Sequence, residues 1–349
     1  MMSGMRNLLE RLSNAVGVSG REDEVAEVVR AELQGHVDEI RRDAMGNLIA
    51  VRKGSDPSCM VAAHLDEIGL MVKHIDEKGF IRFVPLGGWF EQTLLNERVV
   101  FRTKRGPVYG VIGSKPPHLL EEEERKKPVK VENMFIDVGA RSEAEVREAG
   151  IGVGSVACLD RQVRPLLNGR VTGKAFDNRA GLAVMIEAIK NTKSKHTLYA
   201  VGTVQEEVGL KGAKTSAFGL QPSVALALDV SLPGDYPGME KKDSSLELGK
   251  GPSLTVTDAS GRGIIVSEAV LRWLTETAEA HGIPYQLDVA RGGTTDATAI
   301  SLTRAGIPTG VISIPTRYLH SGVETLDPSD LKAASELVAR ALERLGEYF

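Results

Sequence analysis

Residues 180–209 read AGLAVMIEAIKNTKSKHTLYAVGTVQEEVG. The opening AGLAVMIEAIKN has the length and apolar spacing of a helix, and TLYAVGTV is a short apolar run of strand length. A helix feeding a buried strand is the repeating unit of an α/β sheet. The strand then runs into Glu206 and Glu207, two adjacent carboxylates. On extended backbone neighbouring side chains point to opposite faces, so by itself such a pair reads as a solvated strand end.

Downstream the alternation continues. SVALALDV (223–230) reads as a strand, VSEAVLRWLTETAEAHG (266–282) as a helix and YQLDVA (285–290) as a strand. TDATAISLTRAG (295–306) reads as a helix, PTGVISI (308–314) as a strand, and a last helix begins at Pro328. Upstream, Leu8, Leu9 and Leu12 share a helix face that VGVSG (16–20) ends. Ser19 and Glu22 have capping-box spacing before a second helix carrying Val25, Val28, Val29 and Leu33. DAMGNLIAVRKG (43–54) reads as a turn and strand, and CMVAAHLDEIGLMVKHI (59–75) as a buried strand.

From about residue 69 to 165 the character changes. GFIRFVPLGGW, ERVVFRT, GPVYGVIG and MFIDVGA are short strands and turns with little helical periodicity. The predicted organisation is an α/β domain of residues 1–68 and 166–349, its sheet flanked by helices, with a small β-rich module (69–165) inserted. Within the module, PPHLLEEEERKKPVK (116–130) cannot bury apolar surface and reads as a surface loop, expected to be mobile over 119–130.

The chain has 349 residues, 42% hydrophobic and 26% charged, with a net charge of −4. No basic domain points to nucleic acid. No run approaches the about 20 apolar residues of a membrane span, and the N-terminus lacks a signal peptide's apolar core. Cys59 and Cys158 read as buried free thiols. A cytoplasmic protein is expected.

The residues that could carry chemistry stand at strand ends. His64 and Asp66 close one strand, Glu206 and Glu207 follow another, Asp229 ends a third, His320 follows a fourth, and Asp177 precedes a helix. In open α/β sheets such groups gather beyond the carboxyl ends of the strands. Two histidines with several carboxylates form a mixed nitrogen–oxygen set suited to Zn²⁺, Co²⁺ or Mn²⁺, and their number invites two metals with a bridging carboxylate. Taken singly, each has an ordinary reading: Asp177 as a helix cap, Asp229 as a turn residue, either histidine as a hydrogen-bonded, partly buried group. The remaining histidines, His36, His74, His118, His196 and His281, lack this context and read as structural. A metal-free glycosidase pair, Asp66 with Glu206, is a second reading that leaves the histidines unused.

In order along the chain, GVSGRE, AAHLDEIGLMV, VPLGGW, GKAFDNRAG, VQEEVGLKGA, ALDV, GGTTDA and RYLHS resemble the tetrahedral, dinuclear-metal aminopeptidases over nearly the whole length. The resemblance implies a co-catalytic zinc peptidase fold with a mixed sheet, a β-rich dimerisation module and a twelve-subunit shell acting on peptides. It implies that His64 and Asp229 hold one metal, Glu207 and His320 the other, and that Asp177 bridges both. Glu206 would be the general base and Asp66 would orient His64. It further implies a cis bond between Asp177 and Asn178. Gly292, Gly293 and Asp296 would lie on the substrate side, although Asp296 also reads as a helix cap.

Overall fold

The computed structural model describes residues 2–349. The chain begins with helices α1 (Met2–Asn14) and α2 (Asp23–Leu33), then strands β1 (Glu39–Arg42), β2 (Leu48–Arg52) and β3 (Ser55–His64). Leu8, Leu9 and Leu12 are buried, as their spacing requires. The expected capping box does not form. Helix α2 starts only at Asp23; Ser19 instead donates its hydroxyl to Asp66, and Glu22 accepts the N–H groups of Gly20 and Gln205. Buried tertiary partners win over a local cap.

The 59–75 stretch is not one strand. It breaks at residues 65–68, and the chain passes from β3 into a separate module. There β4 (Gly69–Ile75), β5 (Ile81–Leu86), β6 (Arg98–Thr103), β7 (Gly106–Ser114), β8 (Met134–Asp137) and β9 (Val156–Leu159) close an antiparallel barrel in the order β4-β5-β8-β7-β6-β9. Two short helices, α3 (Glu122–Arg125) and α4 (Glu143–Glu148), lie between its strands. Closure removes the sheet edges and encloses a core of its own, which includes Leu70, Phe83, Phe101, Ile112 and Ile136. The 116–130 segment lies on the surface, with α3 inside it.

The chain returns through β10 (Arg164–Pro165), β11 (Val171–Gly173), α5 (Phe176–Asn191), β12 (His196–Thr203), α6 (Lys211–Leu220) and β13 (Val224–Ser231). It continues with β14 (Ser253–Thr257), α7 (Glu268–His281), β15 (Gln286–Val289), α8 (Asp296–Ser301), β16 (Thr309–Arg317), β17 (Glu324–Leu326), α9 (Pro328–Glu343) and α10 (Leu345–Tyr348). Among the described residues β1, β2 and β3 join these eight strands in one mixed sheet of eleven. Its centre, β12-β3-β13-β16, is parallel, and antiparallel strands extend it on both sides. The central strands are apolar on both faces because helices cover both. Helices α1, α2, α5, α7 and α9 pack on one face, and α6 and α8 on the other. Both cysteines are buried and free, and burial pushes their thiol pKa values up. No helix among the described residues is long and apolar enough to cross a membrane.

Candidate metal centre

The parallel strands point their carboxyl ends at one place. His64 is the last residue of β3 and lies in register with Thr203, the last of β12. Asp229 lies in β13, opposite Ser313 of β16. Glu206 and Glu207 follow β12, and His320 follows β16. Asp177 stands at the irregular start of α5, whose Asp177–Asn178 peptide bond is cis. Asn178 ties this turn to the sheet by donating to the carbonyl of Leu228 at 2.7 Å.

The side chains form two groups that share Asp177: His64, Asp177 and Asp229, and Asp177, Glu207 and His320. Within each, the ligand atoms lie within 4.8 Å of one another. Asp177 turns one oxygen to each histidine, Oδ1 at 3.1 Å from His64 Nε2 and Oδ2 at 3.3 Å from His320 Nε2. His64 Nε2 also faces Asp229 at 3.9 Å, and His320 Nε2 faces Glu207 at 3.5 Å. Glu206 belongs to neither group, its Oε2 standing 3.8 Å from His64 Nε2. The two glutamates need not point apart, because the strand ends at Thr203 and Gln205 takes a left-handed φ of 55°.

The outer nitrogens settle the tautomers. His64 Nδ1 lies 3.0 Å from the backbone oxygen of Asp66, and His320 Nδ1 lies 2.6 Å from the backbone oxygen of Gly88. Carbonyl oxygens only accept, so each Nδ1 carries the hydrogen and each Nε2 is left facing carboxylates. A neutral Nε2 would set its lone pair against theirs. Each must therefore hold a proton or a metal cation. For His320, burial alone would lower the pKa, but Asp177 and Glu207 outweigh it and push it up to about 10. Burial pushes Glu207 up to about 7, with Asp177 adding to the rise, and its buried Oε1 has no hydrogen-bond partner. Burial also drives Asp229 and Glu206 well above the carboxylate range. Asp177 stays below it, because both histidines outweigh the cost of its burial. An orphaned carboxylate oxygen, two inward Nε2 atoms and mutually raised carboxylates fit divalent cations of the zinc type.

Asp66 meets His64 Nδ1 with its backbone carbonyl, and its carboxylate has further partners. It lies past the end of β3, and its Oδ1 is 3.6 Å from His64 Nδ1. The carboxylate accepts the backbone N–H of Glu206 at 3.0 Å and of Glu207 at 3.2 Å, and the Ser19 hydroxyl at 2.6 Å. It is fully buried. Asp296 is buried and accepts the Thr203 hydroxyl; Thr295 caps α8 instead. Burial pushes Asp296 up to about 6. Gly292 and Gly293 lie on an exposed bend with open space where a Cβ would stand.

Several residues here escaped the sequence reading. Beneath the centre, buried Glu67 is paired with Lys174 at 2.8 Å and Arg179 at 3.2 Å, tying the end of β3 to the start of α5. Glu324 accepts the backbone N–H groups of Asp177 and His320. Gly87 and Gly88, from the barrel module, press against Ile68 and His320. The LGGW motif was the one available signal for them.

The M42 glutamyl aminopeptidase family model matches residues 46–337. A putative aminopeptidase from Acetivibrio thermocellus is 43% identical over 339 residues, covering 97% of this chain and 98% of that one. The structure of an aminopeptidase from the archaeon Desulfurococcus kamchatkensis superposes with a TM-score of 0.94 at 46% identity, covering 98% and 95%. The TET1 peptidase of Pyrococcus horikoshii, which can assemble into a tetrahedron or a large octahedral shell, superposes at 0.87 with 34% identity, covering 96% and 98%. With a family match running from β2 into α9 and relatives aligned almost end to end, this chain belongs to the M42 glutamyl aminopeptidase family and is a peptide hydrolase.

Proposed function

We propose that the chain releases the N-terminal residue of peptides by a two-metal mechanism in which Glu206 is the general base. The observation that carries this reading is the pair of ligand groups sharing Asp177, each with a histidine Nε2 turned inward. His64, Asp177 and Asp229 would hold one ion, and Asp177, Glu207 and His320 the other, as Zn²⁺ or Co²⁺ with Mn²⁺ a further candidate. When bound, such ions would lower the pKa of the attacking water and polarise the scissile carbonyl.

The chain's own residues supply the proton path and the geometry. Glu206 stands beside the first group without belonging to it, so its carboxylate is free to take a proton from the attacking water and return it to the leaving amine. Asp66 holds Glu206 and Glu207 by their backbones, which keeps base and ligand in fixed relation. The carbonyls of Asp66 and Gly88 keep both imidazoles in the tautomer a metal requires. Gly292, Gly293 and Asp296 border the substrate side.

The same reading gives the α/β domain (1–68 and 166–349) the catalysis and the inserted module (69–165) a dimerisation role within a cytoplasmic dodecamer. The shell-forming TET1 relative supports the assembly. Light scattering tests it: a shell of twelve chains is expected, and a monomer at micromolar concentration overturns it. For the chemistry, the chelated protein is expected to be inactive, to regain activity with Zn²⁺ or Co²⁺, and to bind two ions per chain. Activity that survives complete chelation overturns the mechanism. A panel of aminoacyl-nitroanilides then reads out the preferred N-terminal residue.

A further inference from the structure

Glu324 opens β17, is 2% exposed, and lies three residues before the N-cap of α9. Its Oε2 accepts the N–H of Asp177 and its Oε1 the N–H of His320, both at 3.0 Å. We infer that Glu324 is a positioning residue that sets the spacing of the second ligand group by holding the backbones of two of its three members. This rests on the two-metal reading above.

Neither backbone is placed by regular structure. Asp177 has non-helical dihedrals at the start of α5, and His320 is a non-glycine residue at a φ of 57°, a region such residues seldom occupy without support. Glu324 is itself well placed. Its strand lies between two others, with Glu324 opposite Gly173 of β11 and Thr325 opposite Arg317 of β16. The carboxyl group thus hangs from the sheet and reaches both loops at once. Among the described residues it forms no ion pair, although a carboxyl is costly to bury without one. Its chemistry explains the choice. A carboxylate offers two acceptor oxygens to two diverging N–H groups, whereas glutamine offers one acceptor and turns a donor toward the other N–H. Asp66 serves Glu206 and Glu207 in the same way, so each glutamate and histidine of the second group is held through its main chain.

The test uses the full-length assembled protein, stripped of metal and titrated with Zn²⁺ against a competing chelator. Parent, Glu324→Gln and His320→Ala are compared, the last marking which of two sites belongs to His320. Glu324→Gln is expected to weaken that same site by about ten- to a hundredfold and the other by only a few-fold, since Asp177 alone is common to both. Glu324→Asp keeps both oxygens but cannot span both loops, and it supplies the same readout if Glu324→Gln does not assemble. Any other pattern in a folded variant, with both sites unchanged, both weakened equally, or the first weakened more, overturns the inference. A parent that binds fewer than two ions overturns the two-metal reading instead.

Discussion

The two ligand groups share Asp177 but are built by different means. His64 and Asp229 lie in strands β3 and β13, so the hydrogen-bonded ladder sets their positions. Glu207 and His320 lie beyond their strands, and side-chain carboxylates and a carbonyl from the barrel hold them. The histidines differ in exposure too: the side chain of His64 is 2% exposed and that of His320 36%. One half of the centre is therefore inherited from the parallel sheet. The other is assembled from separate segments and a second module, and local opening should act there first.

The largest expected effect separates Glu206, the proposed base, from both groups. Glu206→Gln keeps the shape of the side chain and removes no member of either ligand set, so kcat should fall by about 10²–10⁴ with both metals retained. Metal content by mass spectrometry, measured beside kcat, decides it: loss of an ion from this variant would put Glu206 among the ligands. Glu207→Gln should do the reverse, weakening the second site by about ten- to a hundredfold and leaving the first filled. In the parent, a chelator titration should withdraw the two ions in succession, the His320 site first. Simultaneous release would erase the distinction between the halves.

A smaller effect probes the barrel's share. An ideal Cβ on Gly88 would stand 3.0 Å from His320 Nδ1, where the ring already meets the Gly88 carbonyl. Gly88→Ala should shift that ring and weaken the second site by about tenfold, with the first unchanged. An unchanged second site in a folded variant would mean that the barrel contributes nothing to the centre.

The smallest effect on the centre should come from a clamp of the same kind placed elsewhere. Asp330 of α9 accepts the N–H groups of Gly249 and Gly251 at 2.7 and 2.8 Å. Asp330→Asn should cost about 1–3 kcal/mol of stability and leave both metal affinities alone. Burial pushes Asp330 from 3.8 up to about 6, so the folded chain binds this proton more tightly than the unfolded one. Its contribution to stability is therefore full below about pH 4 and declines as pH rises through about 6. The gap between parent and variant should narrow across that window in denaturant midpoints, and a gap that widens would reverse the assignment.

Much of the fold was legible because it rests on short-range pattern. AGLAVMIEAIKN and TLYAVGTV carry their helical and strand character in their own spacing and length, and the parallel strands are apolar throughout because both faces are covered. The candidate ligands were legible because a sheet of that kind must end its strands on one edge, where charged residues following apolar runs stand out. The partners that hold those ligands were not. Ser19 and Glu22 have the spacing of a helix cap, yet their hydrogen bonds go to Asp66 and Gln205. Asp66 sits two residues from His64, yet its carboxylate serves Glu206 and Glu207. Glu324 lies 4 residues from His320 but 147 from Asp177, the other group it holds, and Gly88 lies 232 from His320. A side chain's preference for helix or strand is decided by its neighbours in sequence, whereas a hydrogen bond to a loop depends on which main-chain groups the folded sheet leaves unpaired, and only the tertiary structure creates those.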